Sequence, residues 1–305
     1  MDKIYLKARA KINLNLLITA KRIDNYHNIL SVFQKINLYD EMYISKNNEN
    51  VFKLETNCNE INNKENIIYK AYIKMQAKYK EIQGVTVNLN KRIPMQAGLG
   101  GGSTDCASFI IGINKLFNLK LTKKEMEKIG ASLGADVVPC LYNKAVKVEG
   151  IGDIITKINT KTKYYLVVVK PDISCNTKEM YEKLDSKTSK IYKTDNTTKI
   201  IEALETSNIE ELQANLHNDF EQVVDNPIIN NIKNEFIKYG TKGCLMSGSG
   251  SSVYGIFKNK EEAKQVYKKI KNKYEAYYCI SYNSQKGQLQ KRLKLAVKKQ
   301  LQRMF

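Results

Sequence analysis

Across 305 residues there is no tryptophan, and there are only two histidines and four prolines. Two imidazoles leave little for a metal site, and the six cysteines stand singly at 58, 106, 140, 175, 244 and 279 with no Cys-x-x-Cys pair. A zinc site and a disulfide framework are therefore excluded as organising devices, and the cysteines read as reduced, partly buried thiols. No apolar run approaches the roughly 20 residues needed to span a bilayer, and Met1 to Lys7 carries no apolar signal region. A cytoplasmic protein without a membrane span is the expectation. Acidic residues are scarce too, 31 against 50 Lys and Arg, for a formal charge of +19. Such an excess suits phosphate-bearing partners. It is made of lysines scattered among Asn and Ile rather than arginines grouped in a patch, so nucleic acid is not expected as the main ligand. With 42% hydrophobic and 27% charged residues, the chain reads as a globular protein of two lobes.

What glycine there is concentrates in one place. In Ile93-Pro94-Met95-Gln96-Ala97-Gly98-Leu99-Gly100-Gly101-Gly102-Ser103-Thr104-Asp105, four glycines fall within five positions. Without Cβ atoms, backbone N–H groups can converge on an anion there. Val85 to Leu89 reads as a strand leading into this loop. Thr104 to Asn118 follows with apolar residues at helical spacing, so the loop delivers its ligand to a helix N-terminus, with Ser103 or Thr104 as the cap. No Gly-Lys-[Ser/Thr] closes the loop, and Ser103 stands where a dinucleotide fingerprint needs its third glycine. A plain strand-to-helix turn is the competing reading.

Residues 4 to 19 alternate apolar and polar side chains, as a half-buried strand pair would. Arg9, Lys11, Asn13 and Asn15 share one parity, which makes either a solvated face or a surface offering a cation and amides to a ligand. A turn at Lys21 to Asn28 holds Tyr26 and His27. Helical spacing covers Asn66 to Tyr79, and Thr122 to Leu133 opens with a capping box, Thr122 with Glu125. Asp136 is a lone carboxylate in an apolar, glycine-flanked segment, either a cap or a working group. Beyond a lobe boundary near residue 160, Tyr164 to Val169 reads as a buried strand and Asp185 to Lys199 as an exposed connection. Helices are expected at Ile200 to Thr206, Asn208 to Asn215, Ile228 to Tyr239 and Glu261 to Tyr274. A second glycine-rich loop, Ser247 to Ser252, is either a turn or a further phosphate-side contact. The end of the chain, Gly287 to Phe305, has an apolar stripe among basic residues and could dock on its own domain, a partner, a membrane surface or RNA.

Taken together, Ala10-Lys11-Ile12-Asn13-Leu14, Asp24-Asn25-Tyr26-His27, Pro94 to Asp105, Gly134-Ala135-Asp136-Val137, Glu149-Gly150-Ile151-Gly152 and Met246-Ser247-Gly248-Ser249-Gly250 resemble the GHMP small-molecule kinases. Within them the likeness is to the branch acting on cytidine diphosphate-linked methylerythritol. The resemblance implies a two-lobed α/β (α+β) fold. Its N-terminal lobe, residues 1–160, would contain a left-handed βαβ element of the S5 type, and its C-terminal lobe, 161–286, would be ferredoxin-like; the basic tail, 287–305, lies outside the pattern. It implies ATP on Pro94, Ala97, Gly98, Leu99, Gly100, Gly101, Gly102, Ser103 and Thr104, with Asn66 and Lys91 on the adenine side. Mg2+ would accompany it, with Ser103 or Thr104 as candidate ligands. Asp136 becomes the catalytic base and Lys11 its charge partner, while Asn13, Tyr26, His27 and Tyr181 take the cytidine-bearing substrate, Tyr181 on the opposite side of the base from the Tyr-His element.

The implied activity is ATP-dependent phosphorylation of the 2-hydroxyl of a small molecule in non-mevalonate isoprenoid synthesis, by a monomer or homodimer. A sibling kinase acting on homoserine or mevalonate is the alternative, followed by an RNA- or membrane-binding protein that uses the tail. Three sites depart from the family pattern: Asn25 for a glycine, Val138-Pro139 for Pro-Phe, and Ser251 for a proline.

Overall fold

The alternating N-terminal segment is a single strand, β1 (Lys3–Lys21), paired antiparallel with β2 (His27–Lys46) across a turn where Asn25 adopts φ +64°. In this computed structural model, residues 2–160, 162–187 and 195–284 are described. The expected basic tail over 287–305 lies outside them. The register of β1 and β2 shifts between Arg9 and Lys11, between Asn13 and Asn15, and between Ile18 and Ala20. Each shift re-aims the following side chains, and from Ala8 to Ile18 nearly every residue of β1 is buried. The polar series is therefore not one solvated face. Arg9 stacks on Tyr39 and Tyr282, Lys11 and Asn13 turn into a cavity, and Asn15 is buried against Thr197.

The chain continues through β3 (Phe52–Thr56), α1 (Ile67–Lys78), β4 (Val85–Asn90), α2 (Gly101–Leu116), α3 (Lys123–Ala131), α4 (Val137–Cys140), β5 (Val146–Glu149) and β6 (Ile154–Lys157). The order β3-β4-β2-β1 forms a sheet, with β3 parallel to β4 and β5 pairing β2. Helices α1, α2 and α4 and part of α3 pack on one face around Phe109, Ile110, Ile113, Met42 and Ile44, all fully buried. At roughly 1.5–3 kcal/mol for each large apolar side chain, this core anchors the glycine loop between β4 and α2. The capping box at Thr122 and Glu125 is formed as expected.

The second half contains β7 (Tyr165–Lys170), α5 (Thr177–Ser186), α6 (Asn196–Thr206), α7 (Ile209–Ala214), β8 (His217–Asn218), α8 (Pro227–Lys238), β9 (Gly243–Met246), β10 (Val253–Phe257), α9 (Lys260–Ile270) and β11 (Glu275–Ile280). A second sheet runs β11-β7-β10-β9. The stretch expected as a connection over 185–199 is helical at both ends: Asp185 belongs to α5, and Asn196 onward to α6. The halves are stitched together. Strand β8 pairs in parallel with β1, Tyr254 donates its hydroxyl to the backbone carbonyl of Asn13, and Ile12, Leu14, Tyr164, Leu166 and Leu245 share one core. This is a mixed two-lobed α/β fold. Among the described residues no helix is long and apolar enough to cross a membrane.

Candidate active site

Two cavities meet at the glycine loop and share Gln96, Gly98 and Gly100 as a common wall. The first, of about 550 Å3, is lined by the loop from Ile93 to Ser103 together with Asn66, Lys91 and Asp105. The second, of about 930 Å3, holds Lys11, Asn13, Asp136, Tyr26, His27 and Tyr181. The structure thus brings the expected nucleotide-side and acceptor-side residues to opposite sides of one arc of backbone.

The loop is shaped by left-handed backbone. Gly98 has φ +70° and Gly100 φ +66°, conformations in which a Cβ is strained. A Cβ on Gly98 would also lie 1.9 Å from the Ser247 carbonyl oxygen, and one on Gly100 3.0 Å from Cγ and Cε of Lys11. Around Gly102 nothing stands within 4 Å. Helix α2 starts at Gly101, earlier than expected, and its N-cap, Gly100, supplies no side-chain cap. Neither Ser103 nor Thr104 caps it, because both lie inside the helix. The first intrahelical bond runs from the Thr104 N–H to the Gly100 carbonyl, so Gly101, Gly102 and Ser103, which precede it and line the first cavity, lie at the positive end of the dipole, a geometry suited to an anion.

The second glycine-rich loop buttresses the first. Ser247 donates its hydroxyl to the Gly98 carbonyl at 3.0 Å, and the Ser252 N–H donates to the Ala97 carbonyl at 3.2 Å. Its Gly248, Ser249 and Gly250 also line the acceptor cavity, and Ser249 pairs with Thr177 at the start of α5. The sequence leaves this loop ambiguous because the contact joins residues about 150 positions apart.

Lys11 is buried on β1, directly after a register shift, where its N–H donates to the Leu99 carbonyl. Its ammonium donates to Asn13 Oδ1 at 2.8 Å and lies 3.3 Å from Asp136 Oδ2, over the face of Phe33. Asn13 is held in turn by Ser31. Asp136 precedes α4 but makes no capping hydrogen bond, and its side chain is 38% exposed. Its carboxylate is therefore aimed at Lys11 and the cavity rather than spent on its own helix.

Asn66 caps α1, accepting from the Ile68 N–H and donating to the Ile61 carbonyl, with the remainder of its edge on the first cavity. Lys91 is drawn beneath Gly101, where it donates to both Asp40 and Asp105. Burial, together with the neighbouring Asp40 carboxylate, pushes Asp105 well above the usual carboxylate range against the pull of Lys91. Thr104 is turned away: it donates to the Arg9 carbonyl and accepts from Lys35. Only Ser103 of the two candidate hydroxyls lines the cavity.

On the acceptor side, the His27 and Tyr181 rings stack on each other, with centroids 4.5 Å apart and planes 17° from parallel. Rings in contact admit no base between them, so the aromatic left open is Tyr26, which is 60% exposed. Asp185 binds His27 Nε2 at 2.8 Å and Lys21 at 2.7 Å, and its acidity is strengthened by these two partners against the opposing effect of burial. Sequence reasoning missed Asp185, having assigned it to a loop; the Met180 and Leu184 spacing of an amphipathic α5 was the available signal. Among the described residues no group of three or more His, Cys, Asp or Glu could hold a metal.

A glycine-rich loop backed by a second loop, beside a buried Lys and a solvent-facing Asp, is the arrangement expected of a small-molecule kinase. The chain belongs to the GHMP kinases: the family's N-terminal domain model matches residues 66–144 and its C-terminal model residues 200–276. A 4-diphosphocytidyl-2-C-methyl-D-erythritol kinase from Alkaliphilus oremlandii is 40% identical over 288 residues, covering 93% of this chain and 98% of the relative. The crystal structure of a 4-(cytidine 5'-diphospho)-2C-methyl-D-erythritol kinase superposes with a TM-score of 0.77 at 23% identity, covering 92% of this chain and all of that one. A homoserine kinase from Cytophaga hutchinsonii superposes with a TM-score of 0.72 at 18% identity, covering 92% of this chain and 95% of that one. These two structures share the fold.

Proposed function

We propose that this kinase transfers the γ-phosphoryl group of ATP to the 2-hydroxyl of 4-diphosphocytidyl-2-C-methyl-D-erythritol, within non-mevalonate isoprenoid synthesis. The observation that carries the reading is the shared wall at Gln96, Gly98 and Gly100, with a phosphate cradle on one side and the Lys11–Asp136 pair on the other. The choice of acceptor is supported by the name of the 40% identical relative and by the open Tyr26 beside the anchored His27.

Phosphoryl transfer is chiefly positioning and charge stabilisation. The N–H groups of Gly101, Gly102 and Ser103 hold the phosphates at the start of α2. Asp136 accepts the acceptor hydroxyl's proton as that oxygen bonds to the γ-phosphorus and the bond to the bridging β–γ oxygen breaks, releasing ADP. Lys11 faces the charge that develops there. Asn13 and Phe33 fix the ammonium, so it spends no reorganisation at the moment of transfer. Mg2+ bound with ATP would neutralise phosphate charge, and Ser103 is the hydroxyl that would be available to hold it, since Thr104 is engaged by Arg9 and Lys35.

Purified protein with ATP and Mg2+, offered a panel of alcohols, tests the reading. ADP release with the cytidine-linked methylerythritol alone supports it. Turnover with homoserine or mevalonate and none with this acceptor overturns the substrate while leaving the kinase intact.

A further inference from the structure

Lys35, on β2, is 3% exposed, yet the groups it directly contacts are all neutral. Its ammonium donates to the Arg9 carbonyl at 2.8 Å and to Thr104 Oγ1 at 2.8 Å, and it faces the thiol of Cys140, which burial keeps protonated. Lys91 makes the contrast, since it is buried between two carboxylates. A buried ammonium with no carboxylate in direct contact is costly; burial lowers the pKa of Lys35, against the weaker opposing pull of the more distant Asp136.

Local hydrogen bonding does not account for that cost. Thr104 already donates its hydroxyl to the Arg9 carbonyl at 2.7 Å, so this pair stays satisfied without Lys35. What the position does provide is charge at a junction. Lys35 touches the first turn of α2 through Thr104, the Lys11 segment of β1 through Arg9, and α4, which follows Asp136, through Cys140. Lys11 and Asp136 are both within its electrostatic reach.

We propose that Lys35 supplies a preorganised positive charge behind the phosphate cradle, whose counter-ion is the triphosphate itself. It does not touch the reacting atoms. Its field adds to that of the α2 N-terminus, and because it is buried, water and salt screen it little. The proposal rests on the glycine loop being the ATP site.

The test is equilibrium titration of the whole chain with ATP and Mg2+, set beside thermal melting, for the parent and for Lys35→Met. The expected result is ATP binding about tenfold weaker in a variant that melts no lower than the parent, because a charge buried at a cost has been removed. A purely structural lysine would give the opposite, a lowered melting temperature. ATP affinity within twofold of the parent overturns the proposal, and so does a loss of affinity that merely follows a fall in melting temperature. Should Lys35→Met fail to fold, Lys35→Gln removes the charge while keeping an N–H donor; weaker ATP binding in it supports the proposal, and parental affinity or a second failure to fold overturns it. A parent chain that binds no ATP would overturn the reading of the loop itself, and this inference with it.

Discussion

The Asp136 carboxylate stands 3.3 Å from the Lys11 ammonium, and only the lysine is buried. The pair is thus half solvent-facing, which keeps it open to an acceptor hydroxyl rather than locked as a core ion pair. If Asp136 acts as proposed, Asp136→Asn removes the base and preserves the shape, so kcat is expected to fall by about 10² or more with little change in melting temperature. Lys11→Met is expected to lower kcat by a similar factor. Steady-state assays of both variants and their double mutant check this. The double mutant should be little worse than either single change, because the two act as one unit; near-normal turnover in Asp136→Asn would remove it from the mechanism.

Two glycines of one loop should behave differently. Alanine at 98 meets the Ser247 carbonyl oxygen at 1.9 Å in a left-handed backbone, so Gly98→Ala is expected to lose both thermal stability and ATP affinity. Alanine at 102 meets nothing within 4 Å. Gly102→Ala should therefore melt close to the parent, and bind ATP more weakly if the proposed phosphate site fills that space. Melting curves and ATP titrations of the two variants separate protein contact from ligand contact, and equal behaviour would refute the distinction.

Asp185 holds His27 by Nε2 and Lys21 by its other oxygen. Asp185→Ala frees the imidazole from that anchor on the acceptor cavity. The expected effect is a roughly tenfold higher KM for the cytidine-bearing acceptor, worth about 1.4 kcal/mol, with KM for ATP unchanged. A rise in KM for both substrates would mean that α5 itself had shifted.

The buried trio Asp40, Lys91 and Asp105 gives a pH dependence of defined sign. Asp105 binds its proton more tightly folded than unfolded, so between the ordinary Asp value near 4 and the raised folded value the native state holds more protons. Stability should fall as pH climbs through that window. Asp105→Asn, whose amide can donate where the protonated acid would, is expected to be more resistant to urea than the parent at neutral pH. The difference should close toward pH 4, and urea midpoints across pH measure it; a constant difference would refute it.

The parts of this site that the sequence made legible are those coded by local composition. Glycines at 98 to 102 cannot hide, and the capping box ahead of α3 is a four-residue pattern. Lys11 and Asp136 were visible as residues but ambiguous in role, because strand parity predicts one face for Arg9 to Asn15 only if the strand has no register shift, and β1 has three. The remainder depends on distant pairing. Ser247 behind Gly98, Asp185 behind His27 and Lys35 behind Thr104 are contacts across 149, 158 and 69 positions, respectively, and each second partner looks ordinary in its own neighbourhood. Supporting residues were thus harder to read than the residues they support.

The Ser247–Gly98 contact also bears on how the protein is made. The glycine loop leaves the ribosome early, between β4 and α2, but the carbonyl and hydroxyl that back its left-handed turn belong to a residue synthesised 149 positions later. A nascent chain halted before Ser247 would carry the whole glycine motif without the surface that shapes it. Nucleotide binding should therefore be acquired late in translation, so that truncated chains neither sequester ATP nor hydrolyse it.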